Sequence, residues 1–118
     1  MAPRSTRGRR GADALVRALG VAGVERIFTL SGNHVMPVFD AVVDSAIELL
    51  HTRHEASAVH MADAWSRITG RVGVALVTGG PGHANAVSAL YTAQMAEAPV
   101  VLLSGHAPND QIGRGAFQ

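Results

Sequence analysis

A glutamate beside a histidine, Glu55 after His54, stands where a short apolar run passes into a helical pattern. The dipole of a helix favours a charged carboxylate at its first turn. The small residues 56–58 that follow leave the carboxylate without bulky cover at an apolar sheet edge, where loss of water favours the neutral form. A carboxyl group in such a place can exchange a proton with a bound ring nitrogen. The residues alone do not decide between that role and a plain helix-start acid.

The histidines around this glutamate suggest a metal site, because His51, His54 and His60 lie in one short stretch. The zinc-protease pattern His-Glu-x-x-His, however, requires a histidine where Ala58 stands. On a helix that begins near residue 55, His60 lies about 140° around the axis from Glu55, so the two do not share a face. We therefore predict no metal ligands in this chain.

A glycine-rich stretch, "TGGPGHAN" at residues 78–85, follows another apolar run. Bare backbone N–H groups at the start of a helix can approach an anion or an aromatic ring closely. A P-loop would end in a lysine followed by serine or threonine, but His83 and Ala84 stand there, and a dinucleotide fingerprint would need glycine at Asn85. Neither phosphate-binding pattern fits. The stretch is either a structural turn or a bare wall for a ligand.

Alternating strands and helices would position these groups. The apolar spacing predicts helices over residues 12–22, 34–45, 55–70 and 83–98, and strands over residues 25–30, 47–51, 72–77 and 99–105. Nearly continuous apolar strands predict an α/β fold, a parallel sheet with helices on both faces. Ligands of such sheets collect outside the carboxyl ends of the strands. The loops there contain Glu55 and three further histidines, His34, His83 and His106, to which the pattern assigns no role.

Composition narrows the class of protein. At 118 residues, with 47% hydrophobic and 16% charged residues, the chain is one ordinary globular domain at most. Four arginines cluster at the start, so we predict a disordered basic tail over residues 1–10 and the domain over residues 11–118. One basic cluster without aromatic residues predicts no nucleic-acid partner, and no apolar run reaches the ~20 residues of a membrane span. The lack of cysteine fits a cytoplasmic location.

The last predicted strand is followed only by a polar loop. An exposed edge as apolar as "VVLL" would invite aggregation. We therefore expect the domain to be truncated, incomplete at its C-terminus, or completed by another chain.

Residues 53–108 strongly resemble the N-terminal pyrimidine-binding domain of thiamine-diphosphate enzymes, most closely the large subunit of acetolactate synthase. The resemblance lies in the Arg-His-Glu turn, the helix "MADAWSRITG", the Gly-Pro-Gly turn with Asn85, and the terminal "GAFQ". It implies the thiamine-diphosphate-binding fold. It also implies that Glu55 is catalytic: it would hydrogen-bond N1′ of the aminopyrimidine and so promote loss of the proton from the thiazolium carbon C2.

The resemblance assigns further residues. Those implied at the pyrimidine ring are Glu55, Gly80, Pro81, Gly82 and Asn85. Phe117 and Gln118 would line the substrate channel. The turn "SGNH" at residues 31–34, with His83 and His106, departs from the acetolactate synthase pattern and leaves the substrate open.

The implied reaction is decarboxylation of a 2-keto acid such as pyruvate and its joining to a second carbonyl, in branched-chain amino acid biosynthesis. Mg²⁺, the cofactor's diphosphate and, as in acetolactate synthases, FAD would be held by domains absent from this chain. The complete enzyme would be a homodimer or tetramer, with each site shared between this domain and the diphosphate domain of a second subunit. This chain alone would then be inactive.

Other functions remain open at this point. One group lies in the same superfamily: a 2-hydroxyacyl-CoA lyase, a decarboxylase or a sulfoacetaldehyde acetyltransferase. A different possibility is a non-catalytic subunit that needs a separate diphosphate-binding chain.

Overall fold

The computed structural model describes residues 10–117. Four helices and four strands alternate along this range, in the order α1 Gly11–Val21, β1 Arg26–Thr29, α2 Met36–Val42, β2 Glu48–His51, α3 Glu55–Thr69, β3 Gly73–Val77, α4 Pro81–Met95 and β4 Val100–Ser104. Short 3₁₀ turns at Asn33–Val35 and Asn109–Gln111 complete the secondary structure. Every predicted helix and strand is therefore present.

Two helices, α2 and α4, differ by more than one residue from their predicted bounds. The helix predicted over residues 34–45 opens as a 3₁₀ turn and ends at Val42. The fourth helix begins at Pro81, two residues before the predicted start, because proline is suited to the first helical position, where its missing N–H is not needed. The turn before this helix is correspondingly shorter.

The strands form one parallel sheet in the order β2-β1-β3-β4. Helices α1 and α2 pack on one face and α3 and α4 on the other, which confirms the predicted α/β fold. From β1 the chain crosses outward to β2, whereas from β3 it crosses outward in the opposite direction to β4. A reversal of this kind opens a crevice between the carboxyl ends of the two central strands, β1 and β3, and ligands of such sheets bind there.

The two faces of the sheet are packed differently. Branched side chains fill the α1–α2 face, including Val16, Ile27 and Val38. Alanines dominate the α3–α4 face, where Ala58, Ala62, Ala75 and Ala86 are fully buried. Small side chains let these two helices lie close to each other and to the sheet.

Gly73 shows how close this approach is, because a Cβ there would lie 2.0 Å from the carbonyl oxygen of Ala62. Helix α3 is thus held firmly against β3.

Arg10 corrects the predicted extent of the basic tail. It is the N-cap of α1, and its guanidinium bonds Asp13 at 2.7 Å and Asp40 at 2.6 Å. The hydrogen bonds to these carboxylates raise the pKa of Arg10 above its usual value. Arg10 therefore belongs to the folded domain, whereas the rest of the predicted tail, residues 1–9, lies outside the described residues. Between residues 10 and 117, no helix is long and apolar enough to cross a bilayer.

Candidate functional site

The first turn of α3 is shaped by its N-cap, His54. The imidazole Nδ1 of His54 accepts a hydrogen bond from the backbone N–H of Ala56 at 3.1 Å. The hydroxyl of Thr52 lies 3.0 Å from the carbonyl oxygen of His54 and 3.3 Å from that of Thr29. His54 therefore caps the helix and the threonine ties the turn to the end of β1, which together hold Glu55 in place.

The carboxylate of Glu55 is nearly buried, with 9% of the residue exposed. Its Oε2 accepts a hydrogen bond from the side-chain amide of Asn85 at 3.0 Å. Its Oε1 accepts no hydrogen bond from any residue between 10 and 117, and it is not sealed from solvent. One oxygen is therefore held in position while the other remains available to a ligand.

Bare backbone faces the available oxygen. A Cβ on Gly82 would lie 3.2 Å from Oε1 of Glu55 and 2.7 Å from the methyl carbon of Thr78. Gly80, with φ 57°, makes the sharp turn out of β3 that only glycine adopts readily, and Pro81 opens α4. The turn therefore presents an open surface beside the carboxylate.

The structure thus brings three of the implied pyrimidine residues, Glu55, Gly82 and Asn85, into one group. Gly80 and Pro81 form the turn that begins α4, the helix that carries Gly82 and Asn85. Phe117 lies elsewhere on the same edge of the sheet, and Gln118 lies outside the described residues. Among residues 10–117 no three histidine, aspartate or glutamate side chains gather as a metal site would require.

The loops that follow β1, β3 and β4 meet in a glycine junction that sequence reasoning missed, made of Gly32, Gly79 and Gly105. A Cβ on Gly32 would lie 2.3 Å from that of Thr78, and a Cβ on Gly79 would lie 2.6 Å from the carbonyl oxygen of Gly105. A small hydroxyl residue followed by glycine lies at or just after the end of each of these strands, as Ser31-Gly32, Thr78-Gly79 and Ser104-Gly105. This repeated pair is the sequence signal from which the glycine junction could be predicted.

Two cavities flank the junction. The first, of about 400 Å³, is lined by Asn33, His34, Pro37, His106, Pro108, Gln111 and Phe117. The second, of about 360 Å³, is lined by Gly80, His83, Ser104, Gly105 and His106. The histidines without an assigned role therefore all line open space beside the crevice at the ends of β1 and β3.

The fold and the site together define a class: an α/β domain that presents a nearly buried carboxylate and bare glycine backbone at the carboxyl edge of a parallel sheet. Residues 9–118 match the family described as thiamine pyrophosphate enzyme, N-terminal TPP binding domain, and the chain belongs to this family. Thiamine pyrophosphate and thiamine diphosphate are two names for one cofactor.

Two names recur among the similar proteins. The chain is 46% identical over 110 residues to 2-hydroxyacyl-CoA lyase 2 of Danio rerio, covering 93% of this chain and 18% of the relative. It is 41% identical over 109 residues to a probable acetolactate synthase large subunit of Methanocaldococcus jannaschii, covering 92% and 18%. It is 40% identical over 104 residues to an acetolactate synthase large subunit of Mycobacterium tuberculosis, covering 88% and 19%. The chain thus spans less than a fifth of the length of these relatives.

Proposed function

We propose that this chain binds the aminopyrimidine ring of thiamine diphosphate through Glu55. The observation that carries the proposal is the asymmetry of this carboxylate: Oε2 is held by Asn85, while Oε1 has no partner within residues 10–117 and stays open. A carboxylate oxygen that no protein group bonds and that solvent can reach is free to accept a hydrogen bond from a ligand. A protonated ring nitrogen is a donor of the required kind.

The surroundings fit a flat heterocycle. Gly82 offers no side chain beside the carboxylate, so a ring can approach the backbone at the start of α4. Asn85, assigned to the cofactor from the resemblance, hydrogen-bonds Glu55 and would hold its carboxylate in place beside the ring. Gly80 and Pro81 would form the wall of the site.

The cofactor, when bound, supplies a thiazolium carbon that becomes nucleophilic once its proton is lost. Glu55 would hold a proton at N1′ of the pyrimidine, and its buried position strengthens that hydrogen bond. The protein's contribution is therefore binding, orientation and proton placement.

For the complete enzyme we propose an acetolactate-synthase-like reaction, in which a 2-keto acid is decarboxylated and joined to a second carbonyl. The relatives named acetolactate synthase support this proposal. The proposal includes Mg²⁺ for the diphosphate and a second subunit that completes each site. FAD and a role in branched-chain amino acid biosynthesis belong to the same proposal.

A second candidate is a 2-hydroxyacyl-CoA lyase. The observation in its favour is the 46% identity to relatives of that name. Both candidates make or break a carbon–carbon bond beside a carbonyl and use the same pyrimidine site. Comparing turnover of pyruvate with that of a 2-hydroxyacyl-CoA by the complete enzyme separates them.

The change Glu55→Gln in the complete enzyme tests the role of the carboxylate. It should slow hydrogen–deuterium exchange at C2 of bound thiamine diphosphate by about 100-fold or more, because positioned proton transfer contributes on that scale. The exchange is measured by proton NMR after acid quench, at saturating cofactor.

Glu48→Gln is the matched control, since Glu48 is an exposed glutamate on β2 that pairs with Arg26. It should exchange at the parent's rate. An unchanged thermal unfolding curve for Glu55→Gln would show that its fold is intact. Exchange at the parent's rate in Glu55→Gln would contradict the proposed function.

A further inference from the structure

His54 caps α3 through a hydrogen bond that depends on the charge of its ring. Its Nδ1 accepts the backbone N–H of Ala56 at 3.1 Å. An imidazole nitrogen accepts a hydrogen bond only when it carries no proton, so this cap exists only while the ring is neutral, with its proton on Nε2. Between residues 10 and 117 no group bonds Nε2, and the residue is exposed, so the ring can take up a proton from water.

Protonation of this ring would remove the cap for two reasons. The proton on Nδ1 would face the N–H of Ala56, and two donors cannot bond each other. The positive charge would also lie at the start of α3, where the helix dipole presents its own positive end. Because both effects act in the same direction, a charged His54 cannot cap this helix.

The capped turn encloses Glu55. The hydrogen bond runs from the side chain of His54 to the backbone of Ala56, and Glu55 is the residue between them. The carbonyl oxygen of His54 also accepts the backbone N–H of Ser57 at 3.0 Å, in the first turn of the helix. Loss of the cap would therefore loosen the backbone at the residue that carries the carboxylate.

The other contacts that support Glu55 do not change with pH. The hydroxyl of Thr52 lies 3.0 Å from the carbonyl oxygen of His54, and the amide of Asn85 bonds Oε2 of Glu55 at 3.0 Å. Neither a hydroxyl nor an amide changes its charge in the range of pH in which histidine does. Of these three supports, the cap by His54 is the one that a proton can remove.

The titratable groups near this turn leave the ring of His54 without an ion pair in the described chain. Arg53 precedes it and Glu55 follows it, and the carboxylate of Glu55 is bonded from α4. His51 stands at the end of β2, and His83 lies in the first turn of α4, which packs against α3. The carboxyl ends of strands β1, β3 and β4 carry no charged side chain. No acid between residues 10 and 117 therefore holds this ring in its charged form.

We propose that His54 is a positioning residue that makes the placement of Glu55 depend on pH. Its neutral ring caps α3 and holds Glu55 against the cofactor, and proton uptake by the ring releases the cap and slows loss of the C2 proton. This inference rests on the proposed function, because it takes Glu55 as the contact to the pyrimidine. It adds a control of that contact by the charge of a neighbouring side chain.

The test measures hydrogen–deuterium exchange at C2 of thiamine diphosphate in the complete enzyme at saturating cofactor. The rates are taken at about pH 8 and about pH 5.5, near the two ends of the range in which histidine changes its charge. His54→Asn is the informative variant, because asparagine is a preferred N-cap whose side-chain oxygen can accept the same N–H and does not titrate. Since exchange also varies with pH for other reasons, the quantity compared is the ratio of variant rate to parent rate at each pH.

At about pH 8, His54→Asn should exchange within about twofold of the parent, and His54→Ala should be about fivefold slower, the scale of a lost cap. At about pH 5.5 the parent should be about three- to fivefold slower than His54→Asn, because its own cap is then lost. His60→Asn is the matched control. His60 is exposed further along α3 and bonds no residue between 10 and 117, so its rate ratio to the parent should be the same at both pH values.

A rate ratio of His54→Asn to parent that does not change with pH would overturn this inference. It would also be overturned if His54→Asn were as slow as His54→Ala at the higher pH, because a capping residue would then not replace the histidine. If His54→Ala does not fold, the pH dependence of the His54→Asn ratio still decides.

Glu55→Gln separates failure of this inference from failure of the proposed function. Slow exchange in Glu55→Gln together with a constant His54→Asn ratio would overturn the role of His54 and leave that of Glu55 standing. Normal exchange in Glu55→Gln would instead overturn the proposed function, and this inference with it.

Discussion

The two edges of the sheet hold cavities of different size and different chemistry. The largest of the described cavities, about 640 Å³, lies at the amino edge, between the ends of α1 and α2, and it is lined in part by Arg17, Asp44 and Arg71. The carboxyl edge has smaller cavities but holds Glu55 and the glycine junction. Cavity size alone would therefore favour the amino edge, away from Glu55.

The two edges also differ in whether their charged side chains have bonding partners. At the amino edge Arg71 bonds the carboxylate of Glu25 at 2.9 Å and the carbonyl oxygen of Gly23 at 2.8 Å. These exposed groups neutralise one another and hold loops together. At the carboxyl edge, by contrast, Glu55 keeps an oxygen without a partner in the described chain, next to bare backbone. Substitutions at the amino edge should therefore change stability, and substitutions at the carboxyl edge should change ligand binding.

Gly73→Ala should have the largest effect on stability. Gly73 begins β3 at the amino edge, and its new methyl group would lie 2.0 Å from the carbonyl oxygen of Ala62, a backbone atom that cannot turn away. We expect the free energy of unfolding to fall by about 3 kcal/mol or more, the upper range for overpacking. Urea unfolding of the chain followed by circular dichroism measures it.

Gly20→Ala is the control for this prediction. Gly20 lies inside α1, and a Cβ there meets no atom within 4 Å. Alanine should leave stability unchanged or raise it by up to about 1 kcal/mol. If Gly73→Ala were as stable as Gly20→Ala, helix α3 would not be held against β3 as described.

Gly82→Ala should separate binding from stability at the carboxyl edge. Its methyl group would meet the methyl carbon of Thr78 at 2.7 Å, a side chain that can rotate, so the fold should tolerate it better than Gly73→Ala. The same methyl group would stand 3.2 Å from Oε1 of Glu55, where we place the pyrimidine. Binding of thiamine diphosphate to the complete apoenzyme should weaken about tenfold, which is about 1.4 kcal/mol.

Isothermal titration calorimetry measures this binding, and Ser88→Ala, an exposed position further along α4, is the control. If Gly82→Ala bound the cofactor as tightly as Ser88→Ala, the cofactor would not bind at the surface beside Glu55.

Asp63→Asn should have the smallest effect, and the effect should depend on pH. Asp63 lies midway along α3, and the guanidinium of Arg67 bonds its carboxylate at 2.7 and 2.8 Å. These hydrogen bonds lower the pKa of Asp63 below its usual value, although burial opposes them. A lowered pKa contributes stability above the unfolded-state pKa, and this contribution is lost as the pH falls through the folded-state value.

Asp63→Asn should therefore unfold a few degrees below the parent at about pH 7, and the gap should narrow at about pH 3. Because about half of the Arg67 side chain is exposed, water screens the pair and the gap stays small. Thermal unfolding at the two pH values measures it, with Asp110→Asn, an exposed aspartate, as the control. An equal difference in unfolding temperature between variant and parent at both pH values would contradict the assigned ion pair.

Much of the fold could be predicted because apolar spacing reports burial along a single helix or strand. Glycine at residue 70 marked the end of α3 correctly, and it adopts the left-handed conformation there. Between glycines, Pro81 is typical of a turn, but in the structure it is the first residue of α4. The cluster of arginines places Arg10 in the predicted tail, whereas its contacts with Asp13 and with the distant Asp40 put it in the domain.

The candidate site was predictable only in part. Glu55 stood out because its place at a strand-to-helix turn is visible in the sequence. Its hydrogen bond to Asn85, thirty residues away, and the packing of Thr78 between Gly82 and His34 were not visible. Each of these contacts joins loops from different strands.

The sequence by itself determined the alternation of strands and helices, the polar groups in the loops and the glycines that follow three of the strands. Only the tertiary structure decided the order β2-β1-β3-β4, and with it which loops become neighbours. The physical reason is that apolar periodicity specifies which side of an element is buried, but not which element buries it. Pairing β1 with β3 is what sets His34 beside Thr78, and packing α4 against α3 is what brings Asn85 to Glu55.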